Sequence, residues 1–267
     1  MRAYLSIIKM RFILLLQYRM AAIAGIFTQF FFAIVRVMVF YAFYSSTVSK
    51  MPLTYHQAIT YIWLGQAMFN MVPWNGDGEI QNLIRTGNVS YELLRPINLY
   101  NQWFCRAFAL RTAPTILRAI PIFVIALFLL PENYGMMFPP TLGALIGWIV
   151  SLFGALMLSC TITNIINICT LWSISGDGIV RLLSAIVTFS SGHIVPLPLF
   201  PDWLKNILRI LPFSGLVDIP SRFYIGDIPF NQLPKYFVFQ IVWVIILYSF
   251  GQWLLNKKLK KIVVQGG

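Results

Sequence analysis

Six stretches of this chain are long and apolar enough to cross a lipid bilayer, and none of them holds an aspartate or glutamate. They run over about 20–46, 56–74, 107–130, 142–172, 179–196 and 233–255. A helix needs about 20 mainly apolar residues to traverse the hydrocarbon core. The expected fold class is therefore all-α, a polytopic membrane protein with six transmembrane helices in a single domain. The first and fourth stretches exceed the required length and are expected to tilt or project from the bilayer. Composition closes off the alternatives: with 58% hydrophobic and only 10% charged residues, the chain is neither disordered nor an ordinary soluble domain. Three cysteines in 267 residues are too few for a disulfide scaffold. No cleavable signal peptide is expected, because the apolar run at 12–16 is too short and no small-residue cleavage site follows it.

The chain carries 20 Lys and Arg against 8 Asp and Glu, a net charge of +12. With a mean hydropathy of +0.75, that excess reads as a topology signal and not as a nucleic-acid footprint. Six spans would place Arg2, Lys9, Arg11, Arg19, Arg85, Arg95, Arg106, Arg181, Lys257, Lys258, Lys260 and Lys261 on one side. That side should be cytoplasmic and hold both termini. The opposite side has Lys50, Lys205, Arg209, Arg222 and Lys235 spread over more sequence, and its loop 131–141 carries only Glu132.

Three segments are neither spans nor plain connections. Residues 1–19 alternate apolar Tyr4, Leu5, Ile7, Ile8 and Phe12 with Arg2, Ser6 and Lys9, the pattern of a basic interfacial helix that leads into the first span as an elbow. Residues 77–87 predict a short capped helix. Asp77 caps it, Glu79 suits its positive end, Ile80, Leu83 and Ile84 form an apolar stripe, Arg85 suits its last turn, and Gly87 closes it. The stripe must be buried either on the same chain or on a cytosolic partner. Between the last two spans, residues 197–226 follow Pro196, Pro198 and Pro201. Asp202 is expected to cap an amphipathic helix there, with Trp203, Leu204, Ile207, Leu208 and Leu211 on one face and Lys205, Asn206 and Arg209 on the other. This reads as an outer re-entrant or interfacial hairpin.

The absence of carboxylates from the spans argues against ion-coupled transport. Arg36 lies in the first span and Arg118 near the middle of the third, on one helix face with Arg111. A charge at that depth needs a carbonyl, an amide, a lipid phosphate or a substrate anion. Asn70 with Gln66, and Asn164 with Asn167, are amide pairs at helical spacing. They are either interhelical glue or, with Arg118, the lining of a translocation path. No catalytic apparatus is expected. A GxxxxGK[ST] loop and HExxH are both missing, and Ser191 and His193 sit too close in sequence to pair on a helix. No cysteine or histidine spacing suggests a metal site.

Two stretches resemble the ABC-2-type permeases, the six-span membrane subunits of bacterial ATP-driven exporters. One is Leu83-Ile84-Arg85-Thr86-Gly87 running on to Tyr91-Glu92-Leu93-Leu94-Arg95-Pro96. The other runs from Phe189-Ser190-Ser191-Gly192 through Phe200-Pro201-Asp202-Trp203-Leu204 and Leu211-Pro212-Phe213 to Gly226. The resemblance implies that 77–87 is a coupling helix docking into a separate cytosolic ATPase through Glu79, Ile80, Leu83, Ile84, Arg85 and Gly87. ATP and Mg would then sit on that ATPase, and this chain would bind no cofactor or metal. It also implies a second permease chain, identical or a sister, meeting this one through spans one, two and five. The expected setting is the bacterial cytoplasmic membrane, and the expected cargo is amphipathic: a peptide, a drug or a lipid-like molecule. A membrane-anchored immunity or scaffold protein that transports nothing is the alternative.

Overall fold

A computed structural model describes residues 2–17, 19–46, 51–172 and 177–259. Lys50, Lys260 and Lys261 of the charge pattern lie outside the described residues. The fold is all-helical, with no strand among the described residues. In chain order the helices are α1 Arg2–Gln17, α2 Arg19–Ser46, α3 Tyr55–Ala67, α4 Gly78–Arg85, α5 Val89–Leu93, α6 Leu99–Val124, α7 Leu142–Cys169, α8 Asp177–Ser190, α9 Asp202–Ile210, α10 Asp218–Tyr224 and α11 Leu233–Leu259.

Four helical stretches are long and apolar enough to span: Met20–Ser46, Leu99–Leu129, Leu142–Cys169 and Phe230–Leu259. The other two expected spans are shorter than the sequence suggests. α3 has 13 residues and α8 has 14, about 20 Å each, against a core of about 30 Å. α3 ends because the chain tightens into a 3-10 turn at Phe69–Met71 and then meets Pro73. α8 ends at Ser190 because Gly192 turns left-handed, at φ +83°. The third span begins at Leu99, earlier than its hydropathy indicates. Asn98 caps it by accepting from the Asn101 amide at 3.0 Å, and its first turns bury Tyr100 and Trp103.

Side-chain contacts define two ends of the bundle. At one end, Tyr55 at the start of α3 donates to the Asn133 carbonyl at 2.5 Å, and Gln57 donates to the Ile225 carbonyl at 3.4 Å. At the other, Arg11 of α1 pairs with Glu79 of α4 at 2.6 Å, and the Asp77 amide donates to Asn167 near the end of α7 at 2.8 Å. Residues 55–77 thus carry the chain from one end to the other, although only the first half of that passage is α-helical. α3 can do this because it is the innermost helix: every residue from Ala58 to Ala67 is buried. Ile59, Trp63 and Leu64 pack with Ala33 and Val37 of α2, Ile122 of α6 and Leu158 of α7. Buried by protein all round, it needs no lipid-facing stripe.

The outer hairpin differs from expectation in its cap and its face. α9 starts at Asp202, with Pro201 before it, so Asp202 caps nothing and instead pairs with Lys205. Leu208 alone is fully buried, while Trp203, Ile207 and Ile210 point outward. α10 holds the hairpin to the bundle, and its Phe223 packs so closely on Gly147 of α7 that a side chain there would clash.

Candidate functional site

Three arginines of α6, at 106, 111 and 118, all reach the strap of chain between α3 and α4. Nearest the α4 end, Asp77 caps α4 as the sequence predicts: its Oδ1 accepts from the Glu79 and Ile80 amides at 3.0 and 3.3 Å. The Arg106 guanidinium, enclosed on all sides, donates to both Asp77 oxygens at 3.1 and 3.3 Å and to Glu79 Oε2 at 3.0 Å. Its remaining nitrogen lies 3.9 Å from buried Glu92, which also accepts from Gln102 and Trp103. A fork of five donors matched to three carboxylates is a strong use of one guanidinium. Glu79 is shared with Arg11, so this network ties α1, α4, α5 and α6 together.

Deeper in the bundle, Arg111 is buried and, among the described residues, makes no direct ion pair with a carboxylate. It donates to Thr163 Oγ1 at 3.0 Å, to the Asn70 and Val72 carbonyls at 3.3 and 3.2 Å, to Asn75 Oδ1 at 3.1 Å, and to the Asn75 carbonyl. Three of these are backbone carbonyls beyond the end of α3, so Arg111 satisfies non-helical backbone at membrane depth. Arg118 donates to Asn70 Oδ1 at 3.4 Å and to the Ala21 carbonyl of α2 at 3.3 Å. Its guanidinium lies flat over Gly25, where any Cβ would collide with it. Arg36 donates to the His193 carbonyl at 2.9 Å and lies 3.5 Å from its ring Nε2.

The expected coupling residues divide. Glu79, Arg85 and Gly87 are exposed, and Gly87 adopts φ +75°, the left-handed closure its position called for. Leu83 and Ile84 are half-buried. Ile80 is wholly enclosed by Val89, Leu99, Tyr100, Trp103, Ile168 and Leu255 of its own chain, so it offers nothing to a partner. The open question about the apolar stripe is thus answered in part by the chain itself.

The expected path residues divide too. Asn70 and Arg118 come together, whereas Asn164 and Asn167 are fully buried elsewhere, on α7. Asn164 donates to the Tyr100 carbonyl at 3.2 Å, and Asn167 accepts from the Asp77 amide. Asn164 thus ties α7 to the start of α6, and Asn167 ties it to the start of α4. Sequence reasoning missed Glu92 and Arg106 as the centre of a network. Each reads as an ordinary loop or topology charge, and only the folded chain brings them within reach of Asp77. Ser191 and His193 do not pair side chain to side chain; the Ser191 hydroxyl accepts from the His193 amide instead. Among the described residues no group of histidine, cysteine or carboxylate side chains is arranged to hold a metal.

A family model described as ABC-2 family transporter protein matches residues 30–266, nearly the whole chain. The chain belongs to the ABC-2 transporter family. No curated protein matches it. For an ABC-2 transporter protein, long apolar helices that carry no carboxylate fit an integral membrane transport subunit. The arginine-clamped strap is the feature of this member that joins membrane interior to surface helix.

Proposed function

We propose that the chain is the permease subunit of an ATP-driven exporter that moves an amphipathic molecule across the bacterial cytoplasmic membrane, using ATP and Mg held by a separate ATPase. The observation that carries this reading is the mounting of α4. Ile80 and Asp77 anchor it rigidly on α6 and α7, while Glu79, Asn82, Arg85, Thr86 and Gly87 stay exposed beside Tyr91 and Leu94 of the next turns. A helix firmly seated on one face and open on the other suits a mechanical contact: force applied at α4 passes through Arg106, Arg111 and Arg118 into α6 and α2. α1, joined to α4 through Arg11, would act as the elbow helix beside the same contact.

In this reading residues 55–77 and α8 complete six crossings, with both termini and α4 cytoplasmic. The lipid-facing row Phe27, Phe31, Val35 and Met38 of α2 is left for membrane lipid or a second permease chain. The test uses exposed residues, so that folding is spared. Tyr91→Ala with Leu94→Asp should leave the purified chain intact but abolish co-purification with its ATPase. Retained assembly and substrate-stimulated hydrolysis would refute the coupling surface. A chain that binds no ATPase in any form would instead favour the scaffold alternative.

A further inference from the structure

The deep end of the strap and α2 meet in one closed ring of contacts at membrane depth. On α2, Gly25 lies under the Arg118 guanidinium. Arg118 donates to Asn70, and Asn70 follows Phe69, whose ring is 5.0 Å from the His193 ring. The His193 carbonyl accepts from Arg36, which returns the path to α2. Gln29 sits on the arc of α2 that closes this ring, four residues after Gly25 and seven before Arg36, so all three share a face.

Gln29 is only 4% exposed, yet neither its amide oxygen nor its nitrogen has a partner. Asn70 Nδ2 and Arg118 Nε, buried in the same ring, also lack partners. Unpaired buried polar groups are rare in folded proteins, and several in one place point to a ligand that completes them. Three of these atoms, on Gln29, Asn70 and Arg118, are N–H donors, which fits an acceptor-rich ligand. Arg36 and Arg118 have no carboxylate within ion-pairing distance among the described residues, so the ring is cationic. On its flank Phe69 stacks on Trp74, with ring centroids 5.5 Å apart and 10° between planes, and Trp74 is partly exposed.

We propose that this ring binds the acidic head of an amphipathic molecule, a carboxylate or phosphate carried on an apolar chain. Arg36 and Arg118 supply the charge, and Gln29 and Asn70 donate to the head's oxygens. Phe69 and Trp74 offer an apolar wall to the chain that follows. Access requires α2 to part from the end of α3, because the ring is closed in this conformation. The site stands on its own geometry; only the identification of its ligand as the exported cargo rests on the exporter reading above.

The test titrates the purified full-length chain in dodecyl maltoside with dioctanoyl phosphatidate, with decanoate, and with dioctanoyl phosphatidylcholine as the zwitterionic control. Binding is followed by thermal shift and native mass spectrometry. The acidic amphiphiles should bind at least about tenfold more tightly than the control. Arg36→Gln and Arg118→Gln should each weaken them about tenfold or more, the worth of one charge-assisted hydrogen bond. Gln29→Leu keeps the volume and removes the unpaired amide. It should fold at least as stably and still lose acidic binding, which guards against variants that merely unfold. Equal binding of acidic and zwitterionic probes, or binding untouched by all three variants, would overturn the proposal. Repeating the titration on the chain assembled with its ATPase separates the two sources of such a ligand. Stimulated ATP hydrolysis identifies a cargo, and tight binding without stimulation identifies a resident membrane lipid; either supports the site. Because the first titration involves no ATPase, its failure is distinct from a failure of the exporter reading.

Discussion

At the residue scale Arg111 carries the largest structural burden, since its one guanidinium reaches three of the backbone carbonyls that follow α3. Each buried acceptor stripped of its partner costs about 1–3 kcal/mol. Arg111 serves four residues: Thr163, Asn70, Val72 and Asn75. We expect Arg111→Met to destabilise the chain by several kcal/mol. Arg111→Lys should recover little of this, because one ammonium cannot fork across acceptors on two sides. Thermal unfolding in detergent reads both, and wild-type stability in either variant would contradict the clamp.

Asp218 in the outer hairpin offers a second residue-level prediction. Burial pushes its carboxyl up to about 6, despite Arg222 at 3.5 Å, the Tyr61 hydroxyl at 3.1 Å and the more distant Arg209. Arg222 bonds more closely to Asp227, at 2.6 Å, which limits what it can do for Asp218. A carboxyl raised on folding keeps its proton longer in the native state. Its contribution is therefore full below about 4 and is lost as pH rises through about 6. Amide exchange across 212–227 should be faster at pH 7 than at pH 5 after correction for intrinsic rates, and Asp218→Asn should flatten that difference.

At the scale of elements, α4 shows how a marginal helix is made firm. Eight residues are too few to hold a helix in water, so its stability comes from its cap and its mounting. Asp77→Ala removes the cap, worth about 0.5–2 kcal/mol, and takes away two of the Arg106 bonds. Asp77→Asn keeps an oxygen for the amides but loses the charge that faces Arg106. We expect hydrogen exchange in α4 to quicken most in the alanine variant and less in the asparagine variant. Equal exchange in both would show that the cap matters little beside the ion pair.

The same element shows what was legible in advance. The cap, the polar first turn and the closing glycine of α4 are local signals and appear where the sequence places them. Ile80's burial within its own chain is a tertiary fact: it depends on Trp103 and Leu255, which no local pattern brings near. α3 and α8 fail in length for a related reason. Hydropathy counts side chains, and residues 69–74 and 194–196 remain mostly apolar after the helix has stopped. What lets the backbone leave the helix there is an arginine from a different helix, Arg111 in one case and Arg36 in the other.

For the whole molecule the decisive quantity is the number of crossings, and the contacts between elements separate the two counts. If only the four long helices crossed, α4 and α9 would emerge on the same side of the membrane. If residues 55–77 and α8 cross as well, the two lie on opposite sides. The ion pair from Arg11 to Glu79 puts α4 at the end that holds α1. The hydrogen bond from Gln57 to Ile225 puts the hairpin at the end where α3 starts, beside Asn133. Those two ends are opposite, so the packing favours six crossings even though two are too short to be helical throughout. Single cysteines decide the matter. With Cys105, Cys160 and Cys169 replaced by alanine or serine, Asn206→Cys in α9 should react with a membrane-impermeant maleimide on intact cells. Asn82→Cys in α4 should react only after permeabilisation. Labelling of both from the same side would reduce the count to four, place α4 away from any cytosolic ATPase, and remove the basis for coupling through it.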